Sequence, residues 1–155
     1  MATLLGRVEA AVMPERRLIT LIGAEFDGFE HPDPDRWPLC WAGTEQIHLF
    51  SELADGHQAL VTAEAWDGPA PALTAEATGV AQLRSLSGRI LISILDERAL
   101  TDYLQLGEPG DYTVDVQVTG RQQLRALSRQ PAWYDSTPRG VEHFQVRLWP
   151  SDRDR

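Results

Sequence analysis

The chain has 155 residues, and a 43% share of hydrophobic residues with five tryptophans is typical of one packed globular domain rather than a disordered segment. The single cysteine, Cys40, excludes an intramolecular disulfide, and no window approaches the roughly 18 consecutive apolar residues of a membrane-spanning helix. The first residues also lack the basic segment and apolar run of a secretion signal. We therefore expect a single domain over residues 1–155 in a soluble, cytoplasmic protein with no membrane partner.

The formal net charge of −9 is concentrated in one segment. Residues 24–76 contain eleven acidic residues against the single cation Arg36, whereas the segments on either side are close to neutral. An acidic field of this kind repels nucleic acid and attracts basic proteins, but it also keeps a protein soluble without any partner. The charge therefore argues against nucleic-acid binding and leaves open whether the segment is a contact surface or only a solubilising one.

Alternation of apolar and polar residues predicts a series of short strands in the first two thirds of the chain. The candidates are residues 4–12, 17–23, 45–50, 58–65, a short run near 73–77, and the stretch GRILISILDE at 88–97. In the last of these, Ile90 and Ile92 share one face while Leu91 lies on the other. This pattern is typical of a central strand that is covered on both sides.

The clearest alternation is DYTVDVQV, residues 111–118. Its apolar residues, which share one face, are Tyr112, Val114, Val116 and Val118. Asp115 is therefore expected on the solvent side, and Asp111 at the beginning of the strand, after the turn signal Pro109-Gly110.

The rest of the chain predicts one helix and one more strand. RQQLRALSRQ, residues 121–130, is the only run with helical character, and Pro131 ends it. VEHFQVRLWP, residues 141–150, alternates again, and we expect a frayed tail at 150–155. Many short strands and at most one or two short helices predict an all-β fold, either an antiparallel β-sandwich or an open barrel.

Three stretches interrupt the alternation, at 24–44, 66–72 and 129–140. The first is long for a connection in a small domain and contains aromatic residues, including Phe26, Phe29 and Trp41, so we expect it to be packed. A loop that combines acidic and aromatic side chains is a good contact surface. The residues predicted to bind a partner are Asp27, Glu30, Asp33, Asp35 and Trp37 in this loop and Asp67 in the second.

The sequence offers no recognisable catalytic, metal or cofactor site. FEHPDPD, residues 29–35, is rich in acids but lacks the spacing of a calcium loop, so we interpret it as a solvated acidic loop. The histidines have no zinc-site spacing, and His48 and His143 occupy polar strand positions that are expected to be partly exposed. The apolar flanks of Cys40 predict a buried, inert thiol. We expect no enzymatic activity, no metal and no cofactor.

Five stretches taken in order carry a family resemblance: RWPLCWAGTEQIHLF, QALVTAEAW, LSGRILISI, PGDYTVDVQV and EHFQVRLWP. This layout, over residues 17–149, resembles the bacterial competence protein J family, small acidic inhibitors of a DNA-entry nuclease, and related immunity-type β-sandwiches. The sharpest local match is Pro109-Gly110-Asp111-Tyr112. The resemblance implies a non-catalytic domain that binds and blocks a basic nuclease or toxin. The chain departs from the family in the Arg-rich stretch 121–130 and in its long Pro-rich first loop, and no contact residue can be carried over.

Three functions therefore compete. The first is an inhibitor or immunity-type module whose acidic loops mimic or occlude a cationic surface of a basic protein. The second is a regulatory or ligand-binding β-sandwich with an apolar cleft, in which the acidity serves solubility alone. The third is a hydrolase or metal-dependent enzyme with dispersed catalytic residues. The sequence favours the first and leaves the oligomeric state and the identity of any partner open.

Overall fold

The alternating segments form strands in a computed structural model that describes residues 1–95 and 98–151. The strands within those ranges are β1 (Leu4–Val12), β2 (Leu18–Gly23), β3 (Cys40–Ala42), β4 (Gln46–Phe50), β5 (Gln58–Trp66), β6 (Ala77–Ser85), β7 (Arg89–Ser93), β8 (Leu104–Gln105), β9 (Gly110–Thr119) and β10 (Arg139–Pro150). The helix α1 (Arg121–Ser128) and a short 3₁₀ helix (Pro131–Asp135) lie between β9 and β10.

The strands form two sheets that pack face to face. Sheet A has the order β1-β5-β10-β9-β6, and sheet B has the order β3-β4-β2-β7-β8. Every pair of neighbouring strands is antiparallel except β5 and β10, which run parallel. The all-β prediction is confirmed, and the architecture is that of a sandwich with one parallel pair.

The core is built from the side chains that alternation placed inward. The face of β9 predicted to be apolar is buried throughout, and Phe144, Val146 and Leu148 of β10 lie beside it. Sheet B contributes Leu21, Ile47 and their neighbours from the opposite side. Ile90 and Ile92 of β7 are also fully buried, as expected for a central strand.

Asp115 lies on the outer face of sheet A, but it is not simply solvated. Its carboxylate accepts a 2.6 Å charge-assisted hydrogen bond from Arg147, whose side chain is almost completely buried. Arg147 also donates to the carbonyl of Pro71, so the segment after β5 covers this part of the sheet. Asp115 therefore lies on the predicted face, but its carboxylate belongs to an ion pair that a covering loop encloses rather than to open solvent.

Several elements differ from the sequence prediction. The run near 73–77 is not a strand up to Glu76, and β6 begins only at Ala77. Residues 78–85 of β6, the short strands β3 and β8 and the 3₁₀ helix were not predicted, whereas α1 was. Pro150 belongs to β10, Ser151 donates a hydrogen bond to Gln82, and residues 152–155 of the expected frayed tail lie outside the described residues.

Helix α1 begins where the backbone makes a sharp left-handed turn. Gly120 has φ +85°, and a Cβ atom there would lie 1.7 Å from the carbonyl oxygen of Val141, so only glycine fits. The carboxylate of Glu76 accepts hydrogen bonds from the N–H groups of Gly120 and Gln122, at 2.8 and 3.2 Å. Glu76 thus caps the positive end of the helix from the start of β6. Within the described ranges no helix is long and apolar enough to cross a membrane.

Candidate protein-binding surface

Residues 24–39, which we call the acidic loop, lie on the outer face of sheet B. Gln46 of β4 fixes the loop, since its side chain accepts from the N–H of Glu30 and donates to the carbonyl of Gly28. The ring centroids of Phe26 and Phe29 are 4.6 Å apart, and Phe29 lies 5.9 Å from the ring of His48. The loop is therefore packed by its aromatic residues, as the sequence predicted.

His48 is buried beneath this loop, which corrects the prediction of partial exposure. The side chain does point to the outer face of the sheet, but Phe29 and Trp41 enclose it, and only 1% of the residue is exposed. Burial, reinforced by the nearby His31, lowers the pKa of His48 to about 4. His48 is therefore neutral at pH 7 and out of reach of a substrate in solution.

The acidic loop exposes most of the residues predicted to bind a partner. Asp27, Glu30, Asp33 and Asp35 are exposed. Asp27 and Glu30 line, with Glu25 and Phe29 among others, an open groove of about 490 Å³.

The other predicted residues lie apart from this groove. Trp37 is half-buried and lines a second groove. Asp67 is exposed after β5, where it accepts a 2.6 Å hydrogen bond from the N–H of Thr3, and it does not line the acidic groove. The structure thus brings Asp27 and Glu30 together and separates Asp67 from them.

Not every carboxylate of the acidic segment contributes to the surface. Glu45 is 1% exposed, and its two oxygens accept hydrogen bonds from the backbone N–H groups of Glu25, Leu86 and Ser87 and from two serine hydroxyls. Burial alone would raise the pKa of Glu45, but these donors outweigh it, and the pKa lies below its ordinary value. Glu45 is an ionised structural group that holds the β6–β7 turn against the acidic loop. Its position in the sequence, beside a Thr and a Gln, gave no signal of this role.

A second buried carboxylate lies at the other end of β4. Glu142 is fully buried and accepts hydrogen bonds from the hydroxyl of Ser51, at 2.6 Å, and from the N–H of Glu52, at 2.9 Å. The Nε of Arg121 lies 3.5 Å from it, and the Nη1 of Arg121 lies 3.3 Å from the carboxylate of Glu52. Arg121 and the neighbouring Arg125 are therefore matched by acids, so the Arg-rich stretch is not a free basic patch.

This cluster contains a serine, a histidine and a glutamate, but not in the arrangement that activates a nucleophile. A catalytic triad places the histidine between the serine and the acid. Here the Ser51 hydroxyl lies between Glu142 and His57, whose Nε2 is 3.0 Å from it, and both Ser51 and His57 are fully buried. Burial raises the pKa of Glu142 and lowers that of His57. The cluster stabilises the end of the core and offers no path to a substrate.

Cys40 is 5% exposed, and burial raises the pKa of its thiol to about 11, which confirms the buried, inert cysteine. In the described part of the chain, no group of three or more His, Cys, Asp or Glu side chains could hold a metal ion.

The second groove lies on the surface, where the edge of sheet A at β6 meets the edge of sheet B at β3. It has a volume of about 370 Å³ and is lined by Trp37, Trp41, Ala42, Val80, Ala81 and Gln82. Val80 is 63% exposed, the highest value among the large hydrophobic residues after the first one of the chain. Exposed apolar surface beside exposed carboxylates is typical of a surface that contacts another protein.

The fold and this surface define a class: a small β-sandwich with a packed, acidic loop on one sheet and an apolar groove beside it. Two solved structures share the fold. ComJ from Bacillus subtilis, an inhibitor of the DNA-degrading activity of NucA, aligns with 97% of this chain and 99% of its own, with a TM-score of 0.61 and 9% identity. The crocagin biosynthetic gene J structure aligns with 95% of this chain and 99% of its own, with a TM-score of 0.56 and 15% identity. No family model and no curated protein sequence matches the chain.

Proposed function

We propose that this protein is a non-enzymatic inhibitor or immunity-type module that blocks a basic nuclease or toxin, and that the acidic loop contacts this partner. The observation that carries the proposal is the exposed charge of the loop. It has five acidic residues, all exposed, against the single cation Arg36. The shared fold with ComJ, which inhibits a nuclease, is consistent with this role.

The acidic loop is suited to imitate the phosphates of a nucleic acid. A nuclease binds its substrate through cationic side chains, so a surface with closely spaced carboxylates can occupy the same site. The carboxylates of Asp27, Glu30 and Asp35 are available for this, because none of these side chains takes part in a hydrogen bond or ion pair within the described part of the chain. Asp33 differs, since its side chain accepts from the N–H of Asp35 and helps to form the turn.

The partner to test first is a nuclease or toxin encoded beside this chain, since inhibitors are commonly encoded next to the protein they block. We expect the purified protein to reduce that enzyme's activity at stoichiometric concentration. The association rate should fall steeply as salt rises, because screening shortens the reach of the charges to about 8 Å near physiological ionic strength. The equilibrium affinity should fall less. The protein alone should show no nuclease, esterase or phosphatase activity.

A matched pair of variants tests the role of the loop. Reversing Asp27, Glu30 and Asp35 to Arg should slow association at least about tenfold. The control reverses Asp102, Glu108 and Asp135, which are exposed outside the loop, and changes the net charge equally. If both variants bind as the natural chain does, the acidity serves solubility only, and a regulatory or ligand-binding β-sandwich replaces the inhibitor.

A further inference from the structure

A small cavity lies on the outer face of sheet A, the sheet that does not carry the acidic loop. It has a volume of about 180 Å³, and its lining includes Leu73 and Ala75 of the segment after β5 and Gln117, Thr119, His143 and Gln145 of β9 and β10. The segment after β5 covers the sheet here because it is bound at two points. Arg147 donates to the carbonyl of Pro71, and the N–H of Glu76 donates to the carbonyl of Val118. Thr119 is exposed, so the cavity is open to solvent.

Gln117 brings a hydrogen-bond acceptor without a partner to this cavity. The residue is 8% exposed, and its Nε2 donates to the two carboxylate oxygens of Asp115, at 3.1 and 3.4 Å. A reversed amide would turn Oε1 toward those oxygens, so the hydrogen bonds fix the orientation. Oε1 therefore lies on the side of the amide away from Asp115, where it is buried and accepts no hydrogen bond from the described residues.

A buried acceptor of this kind is unusual in a folded protein. Three buried side-chain N or O atoms lack a hydrogen bond within the described ranges, and two of them, Nδ1 of His57 and Nε of Arg121, belong to the cluster around Glu142. The third is Oε1 of Gln117, which lies in the wall of a cavity. Because this oxygen has already lost its contact with bulk water, a donor that reaches it gains a hydrogen bond at little further cost.

The hydrogen bonds of His143 define a second acceptor. Its Nε2 lies 2.9 Å from the hydroxyl oxygen of Thr62, and that hydroxyl donates its hydrogen to the carboxylate of Glu9, at 2.8 Å. A hydroxyl has one hydrogen, so Nε2 of His143 must carry the proton and donate to Thr62. Burial holds the pKa of His143 below its ordinary value, so the ring is neutral at pH 7. Nδ1 is then an acceptor, and no described residue donates to it.

The two acceptors belong to side chains on one face of neighbouring strands. Gln117 pairs with Gln145, and His143 pairs with Thr119, so Gln117 and His143 are diagonal neighbours. Such residues are about 7–8 Å apart, a distance that two long side chains can bridge through one small molecule. The amide of Gln145 and the hydroxyl of Thr119 make no hydrogen bond with the described residues. Both can donate to a carbonyl group of the same molecule.

The size of the cavity limits the occupant to a small molecule. A volume of 180 Å³ corresponds to about six waters, and a cavity of about 150 Å³ can hold a six-membered ring. Leu73 and Ala75 offer apolar contacts on the covering side. A ring with polar edges can use these contacts together with the two acceptors, whereas water uses the acceptors only.

The charges around the cavity favour a neutral occupant. None of the lining side chains named above is charged at pH 7. The carboxylates that take part in these hydrogen bonds are those of Asp115 and Glu9. Each is already paired with an arginine, Arg147 at 2.6 Å and Arg7 at 2.8 Å. A cation in the cavity would lose hydration without gaining a counter-charge.

We propose that this cavity binds a small, neutral, planar molecule of the cyclic urea or lactam class, whose N–H groups donate to Oε1 of Gln117 and Nδ1 of His143. The inference does not rest on the proposed function, because the cavity and the acidic loop lie on different sheets. A ligand in the cavity and a basic partner on the acidic loop can therefore be bound at the same time.

A matched pair of probes tests the hydrogen bonds. The probe is imidazolidin-2-one, a cyclic urea with two N–H groups, and its control is cyclopentanone, which has the same ring and carbonyl with CH₂ in place of each N–H. We expect the urea to bind at least about fivefold more tightly, since only it can donate to both acceptors. In an NMR titration, the resonances of the Gln117 side-chain amide and of His143 Nδ1 should shift with the urea.

Matched variants locate the binding site. Gln117→Met keeps the length of the side chain and removes the acceptor, so it should weaken binding of the urea at least about fivefold. The control Gln82→Met makes the same change on the same face, outside the cavity, and should bind as the natural chain does. If Gln117→Met fails to fold, Ala75→Phe fills the cavity from the covering segment, leaves both acceptors in place, and should prevent binding.

Shifts at Gln117 and His143 that follow the urea alone and disappear in Ala75→Phe support the inference. Equal binding of the two probes would overturn it, as would full binding of the urea by the folded Ala75→Phe variant. Unchanged resonances of both residues at the solubility limit of the urea would also overturn it and leave water as the occupant of the cavity.

Discussion

Two buried glutamates lie near opposite ends of strand β4, and they differ in the groups that surround their carboxylates. Glu45, just before the strand, accepts hydrogen bonds through both oxygens from backbone N–H groups and serine hydroxyls. Glu142, beyond the other end, accepts fewer and lies next to neutral His57. The pKa of Glu45 is lowered and that of Glu142 is raised. Both carboxylates are inaccessible to solvent, but the hydrogen-bond donors dominate at Glu45 and burial dominates at Glu142, so their pKa values move in opposite directions.

The largest expected effect comes from replacing each glutamate by glutamine. Both oxygens of Glu45 accept hydrogen bonds, so in either orientation the glutamine of Glu45→Gln places its NH₂ group against hydrogen-bond donors. We therefore expect a loss of about 4 kcal/mol in the free energy of unfolding. Glu142→Gln can keep its oxygen toward the N–H of Glu52 and donate to the Ser51 hydroxyl. That variant should lose less than about 1 kcal/mol. Urea denaturation at pH 7 measures both.

The pH dependence of the two variants provides the check. A lowered pKa means that the ionised Glu45 stabilises the fold above its unfolded pKa and that this contribution is lost as the pH falls through the folded pKa. The raised pKa of Glu142 acts in the opposite direction, because the folded state then binds the proton more readily than the unfolded one. The destabilisation by Glu45→Gln should therefore shrink on acidification, and that by Glu142→Gln should grow. If the destabilisation by the two variants changed with pH in the same direction, the contrast between Glu45 and Glu142 would be contradicted.

Acidification should also destabilise the fold through His48, which lies on β4 between the two glutamates. The pKa of His48 falls from 6.5 to about 4 in the folded state, so the unfolded chain binds the extra proton throughout this range. The fold should lose about 3 kcal/mol on acidification from pH 6.5 to pH 4. His48→Gln should reduce this loss by most of that amount. Thermal unfolding over this pH range is the measurement, and an unchanged profile in the variant would show that other groups cause the loss.

The smallest of the three effects concerns a carboxylate that is matched by a cation. Asp115→Asn leaves the buried guanidinium of Arg147 without its charge partner, and we expect a loss of about 2 kcal/mol. The control Asp102→Asn changes an exposed carboxylate and should alter the stability by less than about 0.5 kcal/mol. Equal stability of the two variants would show that the negative charge of Asp115 does not contribute to the stability of the fold.

Much of the fold could be predicted because β9 and β10 alternate strongly and need no distant information. Strand β6 was missed because its inward residues include Ala77, Gly79 and Ala81, which give little hydrophobic contrast. These residues are small for a tertiary reason, since a Cβ atom at Gly79 would lie 2.9 Å from the sulfur of Cys40. The local sequence pattern of a strand cannot show which side chains of the other sheet pack against it.

The candidate site was predicted in part for the same reason. Composition located the acidic loop, and its aromatic residues indicated that it packs. Composition could not show that Glu45 turns inward while Asp27 and Glu30 stay exposed, because the orientation of Glu45 depends on hydrogen-bond donors in the β6–β7 turn. It also could not show that His48 is covered, since the covering rings lie up to nineteen positions away in the chain.

The parallel pairing of β5 with β10 has a consequence for how the chain folds. Strand β10 lies between β5 and β9, yet it follows every other strand in the sequence. Without it, sheet A is only two separate antiparallel pairs, β1 with β5 and β6 with β9, and each presents an open edge to the other. Assembly must therefore close a loop of about eighty residues, an ordering step that slows folding toward the millisecond-to-second range. During that interval the central gap of sheet A is open to any extended chain nearby.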